Sequence, residues 1–211
     1  MKSHAAIKDQ LHSYYQSKKQ EPADFAKMGW KSLHAQNVRF QQLTRSFSLK
    51  YGDSVNDLGC GIGNFYGYLK QEFPGLDLRY AGYDMIGDMI SEASKKFQND
   101  QRAAFFKIET VQDIKPADYT FASGIFNLKF SISEKQWLSY ILETIRTMSL
   151  NSSKGISFNC LTSYSDKEFM REELYYPDPL FIFDFCKKEI SRNVALYHDY
   201  NEYDFTIAVA A

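Results

Sequence analysis

The stretch Val55-Asn56-Asp57-Leu58-Gly59-Cys60-Gly61-Ile62-Gly63-Asn64 decides how this chain reads. A short apolar run enters an acid and then a turn with glycines at three alternate positions, after which a helical pattern starts. Without a Cβ, such a turn brings backbone closer to a ligand than any other residue permits. A second run, Tyr80-Ala81-Gly82-Tyr83-Asp84-Met85, ends in an acid 21 positions after Gly63. In a nucleotide-binding βαβ unit, an acid at that place holds ribose hydroxyls.

Outward from this pair, strand and helix patterns alternate. Residues 55–58 read as a strand and 64–73 as its helix, stopped by Pro74-Gly75. Residues 78–83, 104–108, 119–123 and 155–161 read as further strands, with helices over 85–98 and 133–148. A stretch rich in Tyr and charge over 162–178 precedes a helix at 179–188. Two last strands at 194–198 and 204–209 join through Asn201-Glu202 as a hairpin. Residues 1–50 read as helical, with Leu11, Tyr14 and Tyr15 on one segment, a break at Glu21-Pro22, and a stripe of Leu33, Val38, Phe40, Leu43 and Phe47. The expected class is α/β: a seven-stranded, mostly parallel sheet with helices on both faces and a C-terminal antiparallel hairpin. The chain divides into an N-terminal helical lid or substrate segment (1–50) and a domain over 51–211 with a substrate-side insertion at 161–190. Together they make one structural domain.

Bulk properties narrow the partners. Lys and Arg number 25 against 26 Asp and Glu, scattered along 211 residues. The basic footprint of a nucleic-acid binder is missing, so no nucleic-acid partner is expected. Aromatics make up 16% of the chain, a supply of pocket walls with apolar bodies and polar tips. Cys60, Cys160 and Cys186 have no metal-ligand spacing and read as buried free thiols, so no metal is expected. The polar N-terminus has no signal-peptide core, and no run reaches about 18 apolar residues, which predicts a cytoplasmic protein without a membrane span. A monomer or homodimer is expected.

The run Asp57-Leu58-Gly59-Cys60-Gly61-Ile62-Gly63 resembles the Asp-x-Gly-x-Gly-x-Gly motif of class I S-adenosylmethionine-dependent methyltransferases, and Asp84 matches their acid after the second strand. The resemblance covers roughly residues 50–211 and implies their Rossmann-like fold. It also implies S-adenosyl-L-methionine as cofactor. By similarity, the turn Gly59, Cys60, Gly61 and Gly63 packs against the methionine part, Asp57 orients its amino group, and Asp84 receives the ribose hydroxyls. Met85 or Ile86 packs on the adenine, Glu109, with Asp113 as runner-up, lies near its amino group, and Thr110 and Ser123 line the cofactor site. Dinucleotide dehydrogenases instead show Gly-x-Gly-x-x-Gly, a register this turn lacks.

On the acceptor side, Ser123-Gly124-Ile125-Phe126-Asn127 falls after the fourth strand, where the family places catalytic residues. The two prolines of amino methyltransferases acting on planar nitrogens are missing there, which counts against a nucleobase or glutamine substrate. Asn127 is a candidate for holding the acceptor. His198, ending a strand on the ligand-bearing edge, is a candidate general base. Tyr176 joins them as a catalytic candidate, with Trp30, Tyr14, Phe126 and Tyr175 as walls of the substrate site. The favoured function is methyl transfer to oxygen or nitrogen of a small soluble metabolite, a sugar or secondary-metabolite intermediate. A protein or RNA methyltransferase, or a non-catalytic cofactor-binding partner, stands as an alternative.

Overall fold

The computed structural model describes residues 2–18, 20–200 and 202–211, and in the first helix the side chains from Asp9 onward. Seven strands make one sheet: β1 (Ser54–Leu58), β2 (Arg79–Asp84), β3 (Ala103–Lys107), β4 (Ala117–Ala122), β5 (Ser152–Leu161), β6 (Asn193–Tyr197) and β7 (Asp204–Ala210). Their spatial order is β3-β2-β1-β4-β5-β7-β6. The first five pair in parallel, and β7 runs antiparallel between β5 and β6. The expected mixed sheet with its closing hairpin is therefore what forms; Asn201, where the turn was expected, lies outside the described residues. From β1 the chain steps outward to β3, then returns to β4 on the other side. That reversal between β1 and β4 is the switch point outside which ligands sit in such sheets.

Alternation along the strands splits the core into two layers. Val55, Tyr119 and Phe121 face α3 (Leu33–Thr44) and α4 (Asn64–Glu72), packing with Phe40, Leu43, Phe65 and Leu69. Leu58, Ala122, Ile156 and Phe158 face the opposite way, toward α6 (Glu134–Leu150) and α7 (Pro179–Glu189). Trp137 of α6 is fully buried, and its Nε1–H donates to the Phe126 carbonyl at 2.8 Å, so the indole brings no unsatisfied donor into the core. All three cysteines are free and buried.

The N-terminal helices α1 (Lys2–Lys18) and α2 (Asp24–Lys27) lie across α5 (Gly87–Lys96). Leu11, Tyr15 and Met28 pack on Ile62, Ile86 and Met89. Around that apolar patch, Lys27 pairs with Glu92 and Lys96 with Asp24, each at 2.8 Å. In α3 the expected stripe is corrected: Leu33 is exposed, whereas Gln36 and Arg39 are buried beside Phe40 and Leu43. The helix faces the core along one edge and a polar cluster along the next, so its inward side is not purely apolar.

Candidate active site

The glycine turn is built from backbone geometry. Gly59 takes φ +76° and its N–H donates to the Tyr83 carbonyl at 2.7 Å, tying β1's end to β2. A Cβ there would collide with Ile125, and one at Gly61 (φ +52°) with Met28. Gly63, at φ +78°, sits at the start of α4 with Phe97 and Phe105 closing on it. Each position combines a left-handed backbone with a close neighbour, which only glycine tolerates.

Two acids stand at the ends of the adjoining strands. Asp84 accepts the Gly61 N–H on one oxygen and the Ile86 N–H on the other, both at 2.9 Å. Burial raises its pKa, and those two backbone N–H groups pull it back. Asp57 is buried and accepts the Tyr80 hydroxyl at 2.5 Å. Burial pushes Asp57 up to about 7; the Asp84 charge adds to the rise and the Tyr80 hydrogen bond opposes it.

Two cavities meet at this edge. The smaller, about 80 Å³, is bounded by Asp84, Met85, Ile86 and Ile108, with Trp137 and Tyr140 of α6 behind. The larger, about 670 Å³, runs beneath α1–α3 and the 162–178 segment. Tyr15, Gly59, Ser123, Gly124 and Leu128 line both and form the junction. The Ser123 hydroxyl there is buried with no hydrogen-bond partner. Trp30 lies against Gly124, where a Cβ would fall 2.9 Å from Cζ2. The Arg39 guanidinium stacks on the Trp30 ring at 4.6 Å from its centroid. Arg39 is itself locked: it donates through Nε (3.1 Å) and Nη2 to buried Asp204, through Nη2 to Glu202 at 3.2 Å, and through Nη1 to the Ala35 carbonyl at 2.7 Å.

The loop after β4 is laced to the end of β5 and the 162–178 segment. Asn127 Oδ1 accepts the Leu161 N–H at 3.2 Å, and its carbonyl accepts the Tyr175 N–H at 2.9 Å. Lys129 and Phe130 both donate their N–H groups to the Glu173 carbonyl, and Phe130 holds φ +51°. Such a left-handed aromatic residue is strained, and the paired loops hold it there. The Tyr176 hydroxyl accepts the Arg171 N–H at 3.1 Å and borders the larger cavity.

Of the residues singled out by sequence, Asp57, Gly59, Cys60, Asp84, Met85, Ser123, Trp30, Tyr14, Asn127 and Tyr176 line one or both cavities. Gly61 and Gly63 shape the turn without lining either cavity. The others fall elsewhere. His198 is exposed at the end of β6, packed between Tyr164 and Phe205 rings, away from both cavities. Glu109 is exposed and pairs with Lys107 at 3.2 Å, while Thr110 caps a short turn with Asp113. The chain turns after Ile108 so that apolar Ile108 and Val111, not these polar neighbours, face the smaller cavity. Phe126 and Tyr175 are core residues. Strand-end position places a residue near the ligand edge, but side-chain direction decides whether it reaches it. Sequence reading missed Arg39, Ile108, Val111 and Tyr140. A hydrophobic pattern does not distinguish a core-facing residue from one facing a cavity, and a lone arginine in a helix carries no signal of burial.

Comparison with known proteins agrees with this architecture. A family model described as a methyltransferase domain matches residues 55–149. A Mycobacterium tuberculosis (strain H37Rv) protein bearing the provisional name of methyltransferase is 42% identical over 156 residues, covering 74% of this chain and 92% of that one. Among solved structures, magnesium protoporphyrin IX methyltransferase from Synechocystis PCC 6803 with bound S-adenosylhomocysteine superposes with a TM-score of 0.69 at 14% identity, covering 98% of each chain. Human N-acetylserotonin methyltransferase in complex with S-adenosylmethionine gives 0.60 at 15% identity, over 84% of this chain and 53% of that one. With its glycine turn, strand-end acid and sheet order joined to a relative of that identity and coverage, the chain belongs to the class I S-adenosylmethionine-dependent methyltransferases.

Proposed function

We propose that the joined cavities hold the cofactor and its acceptor together, and that the acceptor is a small soluble metabolite methylated on oxygen or nitrogen. The observation that carries this reading is the 670 Å³ cavity continuous with the cofactor edge at Gly59, Ser123 and Gly124, roofed by α1–α3. The residues present suit S-adenosylmethionine. Asp84 offers a half-buried carboxylate whose oxygens accept the Gly61 and Ile86 N–H groups and keep lone pairs for ribose hydroxyls. Met85, Ile86, Ile108 and Val111 give apolar flanks for a base. The unpartnered Ser123 hydroxyl stands at the junction. Asp57 and Cys60 border the larger cavity, on the side left for the amino-acid portion.

When bound, the cofactor supplies a methyl made electrophilic by its sulfonium. The protein's own task is then to hold a nucleophile in line at roughly 3 Å and exclude water. Trp30, clamped between Gly124 and Arg39, fixes one wall beside the junction. Asn127 borders the cavity with its carbonyl and Oδ1 engaged and its side-chain amide directed at Asp204. Tyr176, whose ring and hydroxyl border the acceptor cavity, is assigned to the proton of a hydroxyl acceptor; His198 is not carried into this role because it lies outside.

Thermal melting with S-adenosylmethionine, S-adenosylhomocysteine and NAD tests the cofactor, since the true ligand stabilises by mass action. Transfer of labelled methyl into the low-molecular-mass fraction of a cell extract tests the acceptor. Label recovered only in protein or RNA would refute the small-molecule reading.

A further inference from the structure

The larger cavity is charged out of proportion to the chain. Four cationic side chains line it, Lys18, Lys31, Arg39 and Arg171, against two acids, Asp57 and Glu202, in a chain whose net charge is −1. Both acids are already engaged: Glu202 accepts from Arg39, and Asp57 accepts the Tyr80 hydroxyl. Three cations remain. Lys31 has no ion pair among the described residues; Lys18 stands 3.8 Å from Glu21, and Arg171 3.4 Å from Glu173, in solvent-accessible contacts of the kind that contribute little. Between them the wall is aromatic. Trp30, Tyr176 and Tyr203 line it, and Phe169, 62% exposed, sits with its ring 6.4 Å from that of Tyr203. Aromatic rings open to the cavity beside cations that are unpaired or held only in solvent-accessible pairs fit a ligand with a flat apolar body and a negative group.

We propose that the methyl acceptor is an aryl or similarly flat anion, carboxylated or phosphorylated, whose negative group is met by Lys31 and Arg171 while its body lies among Trp30, Phe169, Tyr176 and Tyr203. This rests on the small-molecule methyltransferase reading and names its substrate class. The cofactor also carries a carboxylate, so the test separates the two anions.

Calorimetry titrates S-adenosylhomocysteine first, which tests the underlying reading by itself. The protein, with and without saturating S-adenosylhomocysteine, is then screened by thermal shift against benzoate, 4-hydroxybenzoate, indole-3-carboxylate and phenyl phosphate, each paired with its neutral amide or alcohol. At least one acid is expected to stabilise the protein more than its neutral partner; the carboxylates and the phosphate distinguish which anion is preferred. Lys31→Met and Arg171→Met should each weaken that acid by roughly two- to fivefold, with Lys31→Arg restoring it and S-adenosylhomocysteine affinity unchanged. If no acid exceeds its neutral partner, the proposal is overturned. It is equally overturned if the two variants lose S-adenosylhomocysteine affinity instead, because the cations then serve the cofactor. Failure to bind S-adenosylhomocysteine at all, with the acid preference intact, would overturn the methyltransferase reading and leave an anion site.

Discussion

The glycine-turn edge and the larger cavity are assembled in different ways. The edge comes from contiguous chain: Asp57 to Gly63 and Asp84 to Ile86, held by backbone bonds such as Gly59 N–H to Tyr83 and Gly61 N–H to Asp84. The larger cavity draws on α1–α3, the loop after β4, the 162–178 segment and the turn before β7, joined by side chains such as Arg39 to Asp204 and Asn127 to Leu161. Backbone-built geometry depends on local residue type; side-chain-built geometry depends on partners some 160 positions apart, as with Arg39 and Asp204. Damage to one should therefore leave the other largely standing.

The largest effect should come from Arg39→Met. It strips the partner from a fully buried Asp204 and should cost about 3–5 kcal/mol in urea unfolding. The folded fraction should still bind S-adenosylhomocysteine with native affinity in calorimetry; a parallel loss of affinity would join the two regions into one. Gly59→Ala breaks the other side. A left-handed alanine colliding with Ile125 should cost about 2–4 kcal/mol and abolish cofactor binding. Native affinity in that variant would mean the turn relaxes freely. Asp84→Asn is milder, weakening S-adenosylhomocysteine by about 1–3 kcal/mol as a charged acceptor becomes a neutral one.

Asp57 sharpens the contrast through pH. Its folded pKa lies near 7, above the unfolded carboxylate value, so the folded state binds the proton more tightly. Its contribution to stability is fully present below about pH 4 and is lost as pH rises through about 7. Asp57→Asn should flatten the decline in unfolding free energy across that window. An unchanged profile would show that Asp57 titrates normally in the fold.

Legibility followed the same division. The glycine turn, Asp84 and the sheet with its hairpin were readable because backbone requirements and hydrophobic period are local properties. Ser123 and Asn127, after β4, and Tyr176, in the 162–178 segment, line the cavities at this edge. His198 and Glu109 also follow strand ends yet lie elsewhere: β6 is the outermost strand, away from the switch point between β1 and β4, and the chain after β3 turns Ile108 and Val111 to the smaller cavity instead of Glu109. Phe126 and Tyr175 went to the core instead, where large rings bury the most apolar area.

By itself, then, the amino-acid sequence determined the glycine-rich strand-turn-helix and the family it marks, since alternate glycines and strand-end acids act through the chain immediately around them. Tertiary structure alone decided which N-terminal residues roof the cavity, that Arg39 is buried and locked while Lys31 and Arg171 are not, and that His198 stands outside. Those outcomes depend on which distant surfaces meet, and the pairing energy that selects them exists only after the elements have packed.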